Sequence, residues 1–264
     1  MNKLGELFFG RHLVGGLSVK AGQAFFIVMC CLAIAAPAQE PAVIPLASEP
    51  HHHLALHNAY VNVYQVEVAP HDSVLLHRHD ADAISIMLSN STVTVRAPGK
   101  PDVHQKLVDG QLRLQARGYV HSTSIDGDTT YRNVTVELLL PQQSARNLCA
   151  AVIAALPLNC PGAQAQSPAA THIDQPQFET SQTYITLIRV LPHQSVELGD
   201  PGHPELIVAL DAVATAGGKG PENSLRRGDI VWLEAAKPSQ VFKNDGDKEA
   251  RLISFALKPL SATE

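Results

Sequence analysis

The chain has 264 residues, with 20 Lys and Arg against 25 Asp and Glu, and a net charge of −5. This mild acidity argues against nucleic acid as a partner, because phosphate binding requires a basic surface. Charged residues make up 17% and hydrophobic residues 45% of the chain, which excludes a disordered protein and a long coiled coil. Histidine occurs 13 times, and it is the commonest metal ligand and a proton-transfer residue near neutral pH.

The first 38 residues have the pattern of a secretory signal peptide. Basic residues precede a short apolar run at 24–36, and Pro37-Ala38-Gln39 follows as a small-residue cleavage site. The apolar run is short for a transmembrane helix, and an uncleaved N-terminal anchor is the alternative. We therefore predict a periplasmic or secreted protein with no stable membrane span after removal of the leader.

The four cysteines fall into two pairs. Cys30 and Cys31 lie in the leader, and Cys149 and Cys160 lie in the remaining chain. In an exported protein such a pair predicts one disulfide, and two unpaired cysteines are the alternative. The spacing does not indicate a zinc site, because no Cys-x-x-Cys occurs.

The rest of the chain divides into segments that differ in composition and residue pattern. Residues 39–56 are rich in Pro and Ala and include His51-His52-His53, so we predict an irregular arm that binds metal at its surface weakly at most. From Tyr60 onward, polar and apolar residues alternate in short segments separated by turns, which is typical of half-buried strands. Residues 143–175 interrupt this pattern with a predicted short helix over 144–156 and a small-residue linker.

The strand pattern occurs twice. The sequence Ala-Pro-His-Asp-Ser-Val-Leu-Leu at 69–76 aligns without a gap with Leu-Pro-His-Gln-Ser-Val-Glu-Leu at 191–198. An internal duplication accounts for this match. Many short strands with frequent turns then predict an all-β sandwich or barrel in each copy, at 57–142 and 176–258.

Three histidines of the first copy have spacings that make them converge. His77 and His79 are two residues apart, so on an extended strand their side chains lie on the same face. His121 follows a second segment, in which Gly110 and Gly118 permit tight turns before a further strand. The spacing therefore predicts that these imidazoles bind a metal ion between them.

The first of these segments resembles the first motif of the cupin superfamily, in which a His-x-His pair is followed after three or four residues by Glu. His77 and His79 match the pair, but Ala83 and Ile84 stand where the glutamate is expected. Asp82 lies one position early. A bend in the strand would be needed to bring Asp82 to the histidines, and an exposed acid in a turn is the alternative.

The second segment resembles the second cupin motif. Gly110, Gly118 and His121 match it at the required spacing, whereas Ala116 replaces a proline and Ile125 replaces an asparagine. The second copy keeps the same frame without the ligands. There, Gly199, Pro201 and Ser239 stand at the positions of the three histidines.

The resemblance implies a bicupin made of two double-stranded β-helix, jelly-roll-like barrels, of which the second is degenerate. It implies a metal site in the first barrel with His77, His79 and His121 as ligands, and Asp82 as the fourth. Imidazole ligands favour a divalent ion such as Fe, Zn, Ni or Cu over Mg or Ca.

Two functions follow from this resemblance. One is an oxygen-dependent dioxygenase acting on a small organic substrate, with the metal as Lewis acid or oxygen-activating centre. The other is a non-catalytic module that binds a small ligand or sugar in the barrel mouth. Pairing into a homodimer and pairing of the two barrels within one chain are both compatible with the sequence.

Overall fold

The computed structural model describes residues 42–142, 146–147, 170–215 and 224–258. The predicted leader, the cysteine pair at 149 and 160, and the predicted helix over 144–156 apart from two residues lie outside this part of the chain. The described residues form twenty β-strands and one short 3-10 turn, Leu46–Ser48. In this part of the chain, no helix is long and apolar enough to cross a membrane.

The first unit, residues 42–142, consists of two five-stranded sheets that enclose a core. One sheet has the strand order β1-β4-β9-β6-β7 and the other β2-β3-β10-β5-β8. The core residues come from both sheets and include Val66, Met87, Val93 and Ile125. The strands are β1 (Ile44–Pro45), β2 (His52–His57), β3 (Val61–Val68), β4 (Ser73–Arg78), β5 (Asp82–Met87), β6 (Ser91–Arg96), β7 (Val103–Leu107), β8 (Leu112–Gln115), β9 (Val120–Ile125) and β10 (Tyr131–Leu138).

The second unit repeats this arrangement with a six-stranded sheet, β11-β12-β13-β20-β15-β18, and a four-stranded sheet, β14-β19-β16-β17. Val190, Val196, Ile207, Phe242 and Leu252 belong to the core between them. The strands are β11 (Arg146–Asn147), β12 (His172–Glu179), β13 (Thr183–Val190), β14 (Ser195–Leu198), β15 (Glu205–Ala209), β16 (Val213–Thr215), β17 (Ser224–Leu225), β18 (Ile230–Leu233), β19 (Gln240–Lys243) and β20 (Ala250–Leu257). The predicted all-β fold is confirmed.

The two units pack against each other through a third apolar cluster. Val134, Val136 and Leu138 of β10 contribute to it from the first unit, and Leu206 and Phe255 contribute from the second. The residues that alternate with the β10 apolar side chains are polar, because successive residues of a strand point to opposite faces of the sheet. They are Asn133, Thr135 and Glu137, all buried on the inner face of the first unit. The first unit therefore has an interior that is polar along this strand.

Polar contacts also join the units. Asp109 of the first unit accepts hydrogen bonds from the guanidinium groups of Arg227 and Arg251, at 2.8 Å for Arg251 Nη2. The side-chain amide of Gln65 donates to the carbonyl oxygen of Gly228 at 2.8 Å. Gly228 has a φ of +87°, and a Cβ at this position would lie 2.9 Å from Cδ1 of Leu88. The interface thus uses a backbone conformation that favours glycine.

The duplication is visible in one shared turn. His71 and His193 both adopt left-handed backbone conformations, with φ of 63° and 58°. Nε2 of each ring lies about 3 Å from a carboxylate oxygen, Asp128 in the first unit and Asp247 in the second. A histidine in this conformation, paired with a matching aspartate, has the same local role in both units.

Two predicted segment assignments differ from the structure. The segment 39–56 was expected to be an irregular arm, but β1 and most of β2 lie within it and belong to the sheets of the first unit. Its strand pairs antiparallel with β3, so His52 lies opposite Val66. The segment 143–175 was expected to be a linker, but Arg146–Asn147 and the start of β12 pair within the large sheet of the second unit. Hydrogen bonding to neighbouring strands overrides the Pro-rich and small-residue composition of both segments.

Candidate metal centre

The structure brings His77, His79 and His121 together inside the first unit. His77 lies in β4, His79 follows the end of that strand, and His121 lies opposite His77 in β9. One ring nitrogen from each histidine lies within 4.8 Å of those of the other two. The three residues are buried, with exposed fractions of 1%, 1% and 7%.

A β-bulge in β4 orients His77. The pairing of β4 with β9 shifts between Val74 and His77, so both of these residues face the interior although they are three positions apart. The bulge frees backbone groups of Leu75. Its carbonyl oxygen accepts a hydrogen bond from Nδ1 of His77 at 2.8 Å. Because a carbonyl only accepts, the ring proton is on Nδ1 and the lone pair of His77 is on Nε2.

The histidine nitrogens are incompletely paired. Nε2 of His79 and Nε2 of His121 lie 3.1 Å apart, whereas Nε2 of His77 and Nδ1 of His79 are buried and have no hydrogen-bond partner among the described residues. A single shared proton would satisfy only the first contact. For comparison, two imidazole nitrogens bound tetrahedrally to one zinc ion at about 2.0–2.1 Å are about 3.3 Å apart. A cation between the rings therefore fits the observed spacing and would use the lone pair of His77.

The three imidazoles are in the protonation state that metal binding requires. Burial lowers the pKa of His77 and lowers the pKa of His79 to about 3, with the neighbouring histidines adding to the effect at His79. Burial and the positive charges of His77 and His79 lower the pKa of His121 well below its ordinary value. At neutral pH all three rings are uncharged and keep a free lone pair.

A carboxylate–histidine pair adjoins this cluster. The Glu49 side chain is fully buried and accepts hydrogen bonds from Nδ1 of His52 at 2.6 Å and from the backbone N–H of Leu75 at 3.1 Å. The ring of His52 lies 5.1 Å from that of His77, centre to centre. Burial by itself would raise the pKa of Glu49, but hydrogen bonds from His52, His51 and Leu75 outweigh it and lower the pKa to about 2. An ionised carboxylate thus lies behind the cluster.

The sequence pattern did not predict this pair. His52 was expected in a surface arm, but its side chain is only 6% exposed and lines the same cavity as the three clustered histidines. Residues 52–57, His-His-Leu-Ala-Leu-His, do not alternate between polar and apolar, so the local sequence carries no clear strand signal. The sequence also does not reveal that Glu49 and His52 adjoin β4, because that contact depends on tertiary packing.

Asp82, the fourth predicted ligand, is not part of the histidine cluster. Its two carboxylate oxygens accept hydrogen bonds from the backbone N–H groups of Arg117 and Gln142, at 3.0 and 3.2 Å. Asp82 is the first residue of β5, and its carboxylate connects two loops at the end of the sheet. The bend needed to turn it toward the histidines is not observed.

Another carboxylate lies beside the position where the cupin pattern places its glutamate. Ala83 occupies that position and lies directly opposite Glu137 of β10. Glu137 is buried and accepts a hydrogen bond from Nδ2 of Asn62 at 2.9 Å. Burial raises the pKa of Glu137. Burial and the neighbouring Glu137 carboxylate raise the pKa of Tyr64 to about 12. Glu137 is not within the cluster of ligand atoms.

The second unit has the complementary composition. By the alignment of the two copies, Glu205 stands where Ala83 stands in the first unit, so this copy retains the acid and lacks the histidines. Glu205 is buried and accepts hydrogen bonds from the backbone N–H of Gly199 at 3.0 Å and from the hydroxyl of Ser254. Within the described part of the second unit, no group of three metal-ligating side chains occurs. The Glu205 carboxylate is hydrogen-bonded to groups of the protein itself.

Comparisons with solved structures support the fold. The structure of AerE from Microcystis aeruginosa is similar to this chain with a TM-score of 0.50 and 13% identity, over 80% of this chain and 99% of that one. A point mutant of Bacillus subtilis oxalate decarboxylase has a TM-score of 0.48 and 11% identity, over 77% and 70%. A cupin domain from Bordetella pertussis Tohama I has a TM-score of 0.32 and 21% identity, over 34% and 92%.

These similarities concern the fold alone, since all identities are low. No protein-family model and no curated protein matches the sequence. The predicted all-β fold is present in the structure, and the three-histidine group could bind a metal, as the resemblance to cupins implies.

Proposed function

We propose that this protein is an exported metal-binding protein of cupin type, with one divalent ion held by His77, His79 and His121. The observation that carries the proposal is the convergence of three buried, uncharged imidazoles whose ligand atoms lie within 4.8 Å of one another. Nε2 of His77, the nitrogen that carries the lone pair, is buried without a partner among the described residues, which is rare for buried polar atoms. The leader-like pattern of the first 38 residues supports export.

The donor set favours Fe, Zn, Ni or Cu. All three ligands are imidazole nitrogens, which suit these borderline ions, whereas Mg and Ca prefer oxygen. The hydrogen bond from His77 to the carbonyl of Leu75 fixes the tautomer that leaves Nε2 free, as outer hydrogen bonds do in metal sites. Three protein ligands also leave coordination positions for a substrate or water.

As the reaction, we propose an oxygen-dependent oxidation of a small organic substrate. A bound ion of this class supplies Lewis-acid or oxygen-activating chemistry. The chain itself supplies the binding space, since His121 also lines a neighbouring cavity of about 210 Å³.

The alternative is a non-catalytic module that binds a small ligand. The observation in its favour is that the predicted fourth ligand, Asp82, bonds to backbone amides and does not join the three histidines. Oxygen uptake distinguishes the two functions. The oxidase-type function predicts oxygen consumption that requires both metal and substrate, whereas the binding function predicts ligand affinity without consumption.

Metal addition to chelator-treated protein tests the shared part of both functions. An ion that binds the folded state alone raises its stability by about 2.7 kcal/mol when present at 100 times its dissociation constant. We therefore expect at least one of Fe, Zn, Ni and Cu to raise the Tm, and we expect Mg to leave it unchanged. No increase with any of the four ions would overturn the proposal.

A further inference from the structure

A second cavity adjoins the histidine cluster and contains an arginine that has no acidic partner in the described part of the chain. The cavity has a volume of about 210 Å³ and is lined by Arg113, Tyr119, Tyr131 and His121, together with apolar side chains. Arg113 lies in β8 directly opposite Ser85, whose hydroxyl bonds to Thr135 in the polar interior. The guanidinium of Arg113 therefore lies inside the unit.

The described residues leave most of the Arg113 guanidinium without acceptors. Its Nη1 donates to Oε1 of Gln105 at 2.7 Å. Within the described part of the chain, no carboxylate lies within ion-pair distance of it, although most other described arginines have such a partner. A guanidinium carries five N–H donors in a planar fork that matches a carboxylate. Because a partly buried charge without a counter-ion is costly, the position favours an anion that comes from outside.

The remaining walls define the rest of the ligand. The apolar part of the cavity wall is formed by Val93, Val95 and Leu107. His121 also lines the cavity, so the cavity adjoins the metal-ligating cluster to which His121 belongs. The volume is below the roughly 300–1,000 Å³ of sites that take drug-sized ligands, so the occupant is small.

We propose that this cavity binds a small organic carboxylate, with its carboxylate group on Arg113 and its apolar body against Val93, Val95 and Leu107. The inference names the substrate class of the proposed metal centre and rests on that function for its role. The binding itself requires Arg113 and the cavity only. It is therefore testable in the absence of metal.

Benzoate and benzamide are suitable probes, because they have nearly the same shape and differ in charge. We expect titration calorimetry or ligand-observed NMR to show benzoate binding to the chelator-treated protein at least about tenfold more tightly than benzamide. This comparison uses the wild-type protein and does not depend on the folding of a variant. Equal affinities, or no benzoate binding at millimolar concentrations, would overturn the proposal.

The Arg113→Gln variant tests whether the carboxylate of the ligand binds to this side chain. We expect the variant to lose at least about tenfold in benzoate affinity and to bind benzamide as before. Arg96→Gln is the matched control, since Arg96 is half exposed and paired with Asp102, and we expect a change below twofold. An unchanged benzoate affinity in Arg113→Gln would show that the anion does not bind at Arg113.

A third variant separates this inference from the metal proposal. His77→Ala removes a metal ligand that does not line the arginine cavity, so benzoate affinity without metal should stay within about threefold of the wild type. If metal binding fails while benzoate still requires Arg113, the anion site stands without the metal centre. If metal binds and benzoate does not, the anion site alone is wrong.

Discussion

Nδ1 of His52 lies 2.6 Å from Oε2 of Glu49, and this contact connects the N-terminal segment to the interior of the first unit. Glu49 also accepts the backbone N–H of Leu75, which belongs to the β-bulge that orients His77. The same bulge residue therefore contacts the carboxylate through its N–H and the candidate metal ligand through its carbonyl. The pair supports the site although neither residue is among the converging ligands.

Glu49→Gln is expected to destabilise the protein by about 2–3 kcal/mol at neutral pH. The substitution removes a buried negative charge that accepts hydrogen bonds from His51, His52 and Leu75. Urea unfolding followed by fluorescence or circular dichroism measures the effect. Glu67→Gln is the control, because Glu67 is largely exposed and paired with Arg132 at the surface, and a change within about 0.5 kcal/mol is expected.

The contribution of Glu49 should depend on pH in a defined window. Its pKa is lowered from 4.5 to about 2 on folding. The carboxylate therefore stabilises the folded state fully above pH 4.5, and this stabilisation is lost as the pH falls from 4.5 toward 2. The difference in unfolding free energy between the wild type and Glu49→Gln should be constant at higher pH and shrink in this window. A difference that grows as the pH falls would contradict the assignment.

His52→Ala is expected to weaken metal binding about tenfold without abolishing it. The His52 ring packs beside His77 and connects it to the buried charge of Glu49, and residues behind metal ligands have effects of this size. Competition with a chromophoric chelator measures the affinity. His53→Ala is the control on the same strand, since His53 is exposed, and it should bind metal as the wild type does. Equal affinities for the two variants would assign His52 a packing role only.

Asp109→Ala is expected to destabilise the contact between the two units by about 1–2 kcal/mol. Asp109 accepts from both Arg227 and Arg251, and its removal leaves one fewer acceptor for two partly buried guanidinium groups. Thermal or urea unfolding measures the loss. Asp102→Ala removes a pair of which both members are half exposed, so a loss within about 0.5 kcal/mol is expected. Similar losses in the two variants would indicate that the Asp109 network adds no special stability.

The sequence predicted the fold and the three histidines because both depend on short-range patterns. Alternation at period two identified the strands, and the spacing of His77 and His79 placed them side by side, with ring centres 5.2 Å apart. His121 is 42 residues from His79, so its position opposite His77 follows from the pairing of β4 and β9. The cupin-like motifs supplied that long-range information.

The features that were missed depend on tertiary structure. Asp82 bonds to backbone amides of two loops, and sequence spacing does not reveal that these donors are present. The β-bulge before His77 and the approach of Glu49 to Leu75 arise from strand pairing between distant segments. Arg113 gave no signal either, since an arginine in a strand usually lies at the surface.

Zinc titration calorimetry on chelator-treated protein tests the central claim most directly, with the wild type compared with His77→Ala/His121→Ala. The account predicts one zinc ion per chain for the wild type and no binding at this site for the double variant, since two of three converging ligands are removed. It also predicts unchanged wild-type stoichiometry in His53→Ala. Absence of binding of zinc and, in parallel titrations, of Fe, Ni and Cu to the wild type would contradict this assignment, and so would equal zinc affinity in the double variant.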